Sequence, residues 1–256
     1  MSNPNGSFVW YELTTTDPQA AETFYQGVTG WSAKDAGMGD KPYTILSAHG
    51  TMVGGLMAIP PEARERGASP RWTGYIAVGE VDGTAARVAQ AGGSLHHGPA
   101  EIPGVGRFAV VADPQGAMFV LFKGTDEPAP QAAPGTPGHI GWHELHAADP
   151  ERAFAFYSAL FGWTKAEAID MGAMGTYQTF ATGGAPTGGM MAKLPAEPRP
   201  SWLFYVNVEE IDAAAARVKE GGGQVVNGPQ QVPGGSWIVH GIDPQGALFA
   251  LVGPRG

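Results

Sequence analysis

The sequence predicts an α+β fold written in two tandem copies, and three observations predict it. The first is a set of returning motifs. Trp10-Tyr11-Glu12-Leu13 with Asp17-Pro18 recurs as Trp142-His143-Glu144-Leu145 with Asp149-Pro150. Phe24-Tyr25 and Gly30-Trp31 recur as Phe156-Tyr157 and Gly162-Trp163, and Asp113-Pro114-Gln115-Gly116-Ala117 as Asp243-Pro244-Gln245-Gly246-Ala247. The register drifts by only two residues from the first motif to the last, which chance similarity does not produce. The second observation is punctuation: 39 Gly and 22 Pro separate short apolar runs, as turns separate strands. The third is an inner rhythm of strand, helix and strands that occurs twice in each copy.

The elements follow in order. Phe8 to Thr15 reads as a strand. Asp17-Pro18 then supplies an N-cap and a first-turn proline, and Ala20, Phe24, Tyr25 and Val28 give the helix an apolar face that Gly30 ends. Strands are expected at Tyr43 to Ser47 and Met52 to Ala58. The order then restarts with a strand at Trp72 to Val78, a helix at Val81 to Ala91 closed by Gly92-Gly93, and strands at Ser94-Leu95, Arg107 to Ala112 and Ala117 to Phe122. The second copy repeats this, with helices at Pro150 to Phe161 and Ile211 to Glu220. The chain is thus four βαβββ units. Residues 125–138, rich in Pro, Ala and Gly without apolar periodicity, read as a semi-extended linker between a module at 1–124 and another at 139–256.

Composition excludes several roles. A formal charge of −9 with no Lys/Arg cluster argues against nucleic acid and anionic membrane as partners. No apolar run reaches the roughly 20 residues of a membrane span. The first residues lack the pattern of a secretory signal, and with 0 Cys there is no thiolate nucleophile or disulfide, so a cytoplasmic location is expected.

The paired βαβββ units, the Asp-Pro-led helix with Phe-Tyr and Gly-Trp, and the closing Asp-Pro-Gln-Gly-Ala-x-Phe strand resemble the glyoxalase/bleomycin-resistance/dioxygenase (vicinal oxygen chelate) superfamily. Gly54-Gly55-Leu56-Met57 and Gly188-Gly189-Met190-Met191 are similar to its two-module glyoxalase-like and hydroxylase-like members. The resemblance covers nearly the whole chain. It implies concave half-barrel sheets, a ligand on the concave face and, in metal-dependent members, a His on the first strand, a His opening the second unit's first strand and a Glu on the last strand. Here those positions hold Trp10 and Trp142, the neighbourhoods of Thr73 and Leu203, and Val120 and Ala250. None of these side chains suits a divalent metal, so no cofactor and no metal ligand is expected.

Strand alternation from the lost His positions places Trp10, Glu12 and Thr14, and Trp142, Glu144 and His146, on the concave side. The same reasoning adds Tyr75, Met118, Tyr205 and Asn207. Glu12 and Glu144, with His146 as an assisting group, are the candidate acid/base groups, although a carboxylate shared by both copies is equally a structural acceptor. Trp10, Trp142, Tyr75, Tyr205, Asn207, Met118 and His240 are candidate ligand-binding residues. A minority alternative makes Glu144, His146 and His240 a two-His-one-carboxylate metal site. His143 is expected to pack, Gly54-Gly55 and Gly188-Gly189 to allow close backbone approach or a bulge, and His49 and His139 to have no partner.

Three functional readings stay open. One is a binder of an apolar or aromatic small molecule without the family's usual metal. The second is an enzyme (lyase, isomerase, hydroxylase or cyclase) acting on a small oxygenated metabolite through Glu12 or Glu144. The third is an interaction module with a lost site. A monomer, as a covalent pseudo-dimer, or a weak homodimer is expected.

Overall fold

The computed structural model describes residues 5–37, 42–125, 132–195 and 197–256. The first copy holds β1 (Phe8–Thr15), α1 (Pro18–Thr29), β2 (Ser32–Asp35), β3 (Thr44–Ala48), β4 (Thr51–Ala58) and α2 (Pro61–Glu65), then β5 (Arg71–Ala77), α3 (Val81–Gln90), β6 (Ser94–Ile102), β7 (Gly106–Ala112) and β8 (Met118–Gly124). The second holds β9 (Ile140–Ala147), α4 (Pro150–Phe161), β10 (Thr164–Asp170), β11 (Thr176–Ala181) and β12 (Pro186–Ala192), then β13 (Ser201–Asn207), α5 (Ile211–Glu220), β14 (Gln224–Gln231), β15 (Trp237–Ile242) and β16 (Leu248–Gly253). The fold is α+β, with two open eight-stranded sheets in the orders β2-β3-β4-β1-β5-β8-β7-β6 and β10-β11-β12-β9-β13-β16-β15-β14. In every βαβββ unit the first strand pairs in parallel with the last, as in Glu12 opposite Gly55 and Glu144 opposite Gly189, and the remaining pairings are antiparallel.

Local chemistry explains the helices. Asp17 and Asp149 cap α1 and α4 by accepting from Ala20 N (3.0 Å) and Arg152 N (3.1 Å). Each helix ends at a left-handed glycine, Gly30 or Gly162, both at φ 75°. The buried face of α1 is Ala21, Phe24, Tyr25 and Val28, so Ala21 takes the core position expected of Ala20. The outer strands β2 and β10 are largely exposed and carry little apolar alternation. Of the linker, residues 126–131 lie outside those described; the remainder turns where Thr136 N donates to Ala133 O (3.1 Å). No helix among the described residues is long and apolar enough to cross a membrane.

The chain forms two compact units, each assembled from half of one copy and half of the other. One comprises Met1–Val9, Thr73–Pro130 and Trp142–Trp202; the other comprises Trp10–Trp72, Gln131–Gly141 and Leu203–Gly256. The recurring motifs are the ties inside each unit. In the first, Trp202 Nε1 donates to Tyr157 Oη (3.1 Å), whose hydroxyl donates to Asp113 Oδ2 (3.2 Å). In the second, Trp72 Nε1 donates to Tyr25 Oη (2.9 Å), which donates to Asp243 Oδ2 (3.0 Å). The other oxygen of each aspartate accepts two backbone N–H groups of its Asp-Pro-Gln-Gly-Ala turn, closed by Gly116 at φ 94° or Gly246 at φ 100°. Burial raises the pKa of Asp113 and Asp243, and the N–H donors oppose that rise. The Gly-Trp motif works likewise. Trp31 Nε1 donates to Gly138 O (2.7 Å) and Trp163 Nε1 to Gly6 O (2.8 Å), each indole holding the lead-in to the other copy's first strand.

Candidate functional site

The repeated Trp-x-Glu of β1 and β9 builds the same chain of hydrogen bonds in both copies. In the first, Trp10 Nε1 donates to Tyr43 Oη (3.0 Å) and Tyr43 donates to Glu12 Oε2 (3.1 Å). In the second, Trp142 Nε1 donates to Tyr177 Oη (2.7 Å) and Tyr177 donates to Glu144 Oε2 (2.8 Å). Burial, reinforced by the neighbouring glutamate, holds both phenols far above the ordinary tyrosine pKa, so they act as neutral donors. The glycine pair of β4 and β12 makes this arrangement possible. A Cβ on Gly54 or Gly188 would press on the backbone carbonyl of Tyr11 or His143 in the neighbouring strand, so close backbone approach is its role. A Cβ on Gly55 or Gly189 would occupy the place of the Tyr43 hydroxyl or the Tyr177 ring.

In the second copy the chain continues. His146 Nε2–H donates to the other oxygen of Glu144 (2.7 Å), and Nδ1–H donates to Glu197 Oε1 (2.5 Å). Both ring nitrogens meet carboxylates, which only accept, so the geometry calls for a doubly protonated imidazolium. Burial alone would lower its pKa, but hydrogen bonds and charges from Glu144 and Glu197 override that and raise it to about 9. Glu197 is the complement: partial burial pushes its carboxyl up, while His146 and the Leu194 N–H bring it below its ordinary value. Glu144 and His146 are buried at 7% and 5% exposure, whereas Glu12 and Thr14 are half-buried.

The other predicted residues divide between the units. Tyr75 on β5 sits opposite Val120 with its ring against Phe122 (5.9 Å), and Met118 begins β8, both in the unit that holds Trp142, Glu144 and His146. Trp10, Glu12, Tyr205, Asn207 and His240 belong to the other unit. There Tyr205 Oη lies 2.8 Å from His240 Nε2, while Asn207 is buried and its backbone pairs with Gly138 and His139. His143 packs, as expected: it stacks on Phe8 (4.2 Å), donates through Nδ1 to Thr187 O (2.7 Å), and burial lowers its pKa to about 4. His49 and His139, expected to stand alone, sit close enough for the charge of His49 to add to burial in lowering the pKa of His139. Tyr43, Tyr177 and Glu197 escaped sequence reasoning. Tyr43 lies just before β3 and Tyr177 within β11, at different spacings from the glutamates, and Glu197 follows Leu194-Pro195 much as Glu62 follows Ile59-Pro60, so nothing local marks it out, although the glycine pair was a usable signal for a bulky neighbour.

The metal positions implied by the resemblance do not suit an ion. The nitrogens of Trp10 and Trp142 are N–H donors without a lone pair and are spent on tyrosines, and Val120 and Ala250 carry no donor atom. Among the described residues no group of three His, Asp or Glu side chains is arranged to hold a metal. His146, central to the minority site, has both nitrogens engaged by Glu144 and Glu197.

The family model of the Glyoxalase/Bleomycin resistance protein/Dioxygenase superfamily matches residues 7–121 and 137–251. The chain belongs to that superfamily. Among superfamily relatives, a Mycobacterium tuberculosis protein provisionally named a glyoxylase, CFP32, is 33% identical, over 96% of this chain and 94% of its own length. The anthracycline biosynthesis protein DnrV of Streptomyces peucetius is 34% identical, over 96% and 93%. The same fold occurs in the Mn(II)-bound glyoxalase of Novosphingobium aromaticivorans, at TM-score 0.67 and 17% identity over 99% of this chain and 83% of that one. It occurs also in the substrate complex of homoprotocatechuate 2,3-dioxygenase from Brevibacterium fuscum, at TM-score 0.68 and 16% identity over 99% and 82%.

Proposed function

We propose that this protein binds an apolar or aromatic, oxygen-bearing small molecule on the concave sheet side that carries Trp142 and Glu144, and does so without the superfamily's usual metal. One observation carries the reading. Where metal-dependent members place a ligand, both copies place an indole that is committed through a tyrosine to a carboxylate. That arrangement presents aromatic faces and an oriented acceptor rather than a coordination sphere. The relative named for anthracycline biosynthesis makes polycyclic aromatics the ligand class to try first. Anthraquinone titrated against intrinsic tryptophan fluorescence is expected to bind saturably, unaffected by a chelator, with no product after long incubation. Binding that vanishes on chelation and returns with a divalent ion overturns it. The protein is expected to sediment as a monomer or weak dimer.

A second reading, an enzyme acting on a small oxygenated metabolite, is favoured by one feature: Glu144 is joined to a histidine, His146, at a position where the first copy has Thr14. Glu144, or Glu12 in the first copy, then serves as acid/base. Turnover that is lost in Glu144→Gln and kept in Glu12→Gln would select this reading.

A further inference from the structure

The second copy differs from the first by a carboxylate that arrives from outside the strand pattern. Glu197 lies on the chain leaving β12 at Ala192, where the first copy forms the short helix α2 after β4. Its Oε1 reaches His146 Nδ1 (2.5 Å), its Oε2 accepts from Leu194 N (2.9 Å), and its main-chain carbonyl accepts from Lys193 Nζ (2.8 Å). The two ends of this contact differ. The His146 side chain is 6% exposed and that of Glu197 21%, so the imidazole is built into the sheet and the carboxylate comes to it from the solvent side. Leu194 on the same segment is 46% exposed, an apolar side chain left in water beside the contact.

A buried cation that keeps one fixed carboxylate, Glu144, and receives a second from a surface segment has the form of an anion-binding position filled internally. Charge-assisted pairs of this kind are short and directional, and any carboxylate with the same reach can replace the resident one. At the position of His146 the first copy carries Thr14, and there the chain after β4 forms a helix instead.

We infer that Glu197 is an internal stand-in for an acidic ligand, and that a small aromatic molecule bearing a carboxylate displaces it from His146. This rests on the small-molecule reading above and adds the ligand's charged group. The displaced Glu197 turns to solvent, so the buried cation keeps a partner throughout. The resident carboxylate competes with the ligand and lowers its apparent affinity by the fraction of time that it holds the position.

The test compares anthraquinone-2-carboxylate with its neutral analogue anthraquinone-2-carboxamide by titration calorimetry. In the unaltered protein the carboxylate is expected to bind more tightly and to shift the His146 Nδ1–H resonance in nitrogen-15 NMR. Glu197→Gln is expected to tighten the carboxylate by about tenfold, since a charge-assisted competitor is removed, and to leave the carboxamide unchanged. His146→Thr, which installs the first copy's residue, is expected to erase the preference for the carboxylate. Should that variant fail to fold, Glu197→Gln and the NMR shift still decide. Equal binding of the two probes, or a carboxylate affinity that Glu197→Gln leaves unchanged or weakens, overturns this inference alone. Failure of both probes to bind overturns the parent reading with it.

Discussion

The Trp10–Tyr43–Glu12 chain of the first copy and the Trp142–Tyr177–Glu144–His146–Glu197 chain of the second make an internal control. The three members they share use the same atoms and the same glycine notch, so that part belongs to the architecture of the repeat. The two further members, His146 and Glu197, bring a buried cation and a surface-borne carboxylate to the second copy, where the first has Thr14 in place of the histidine. A glutamate that recurs with its donors is explained by folding; a histidine that appears once, already paired, calls for a functional account. The comparison shifts attention from the glutamates to the histidine.

The severest way to break the equivalence of the copies is to separate them. Four motif ties join a residue of one copy to a residue of the other within a compact unit: Tyr25 to Asp243, Tyr157 to Asp113, Trp31 to Gly138 and Trp163 to Gly6. Residues 1–124 alone leave Asp113, Tyr25 and Trp31 without these partners. That fragment is expected to show no cooperative urea transition as a monomer, and to gain one when mixed with residues 125–256. A fragment that is monomeric in sedimentation yet unfolds cooperatively would contradict the crosswise assembly.

This is also where sequence reading reached its limit. The repeat, its βαβββ rhythm, and α4 and α5 to the residue were legible because acidic N-caps, glycine stops and helical periodicity are local signals. Whether Tyr25 meets the aspartate of its own copy or of the other is not local, and a repeat looks the same either way. The exposed strands β2 and β10 and the short helix α2 carry no amphipathic pattern to read. In the site, Glu12, Glu144 and His146 were visible as strand neighbours, but Tyr43, Tyr177 and Glu197 reach them from positions set only by tertiary packing.

Acidity sharpens the contrast next. Both histidines with large shifts, His143 and His146, lie in the unit containing Trp142–Trp202, at positions that the first copy fills with Tyr11 and Thr14. His146 is held at about 9, above its unfolded value, so its contribution is complete below about pH 6.5 and is lost as pH rises toward 9. That span corresponds to about 3 kcal/mol. His143 is held at about 4, so its contribution is complete above about pH 6.5 and is lost as pH falls toward 4. Urea midpoints are therefore expected to peak near neutrality. His146→Thr should flatten the alkaline limb and His143→Tyr the acid limb, and an unchanged profile in the double variant would detach the pH response from this unit.

A smaller effect tests the shared part. Gly55→Ala and Gly189→Ala each drive a Cβ into the tyrosine that orients the glutamate. Each is expected to cost about 1–3 kcal/mol in urea unfolding, the usual range for overpacking a filled site. Similar costs support a common architectural role. A large cost at Gly189 with a negligible one at Gly55 would mean that the first copy's chain is dispensable.

The smallest expected effect lies in the Asp-Pro-Gln-Gly-Ala turns, where identical sequence makes different bonds. Gln115 Nε2 donates to Asp149 O (2.8 Å) and its Oε1 accepts from Asp149 N (2.7 Å), tying the turn to the cap of α4. Gln245 lies at the groove beside α1 and α5, and its buried Oε1 meets no donor among the described residues. Gln115→Ala removes two hydrogen bonds and strands an N–H at a helix start, at a cost of about 1–2 kcal/mol. Gln245→Ala removes an oxygen that had no bond to lose, and is expected to change stability by less than about 0.5 kcal/mol. Equal losses from the two variants would show that the turns are as alike in energy as in sequence, and would confine the asymmetry of this protein to His146, Glu197 and their neighbours.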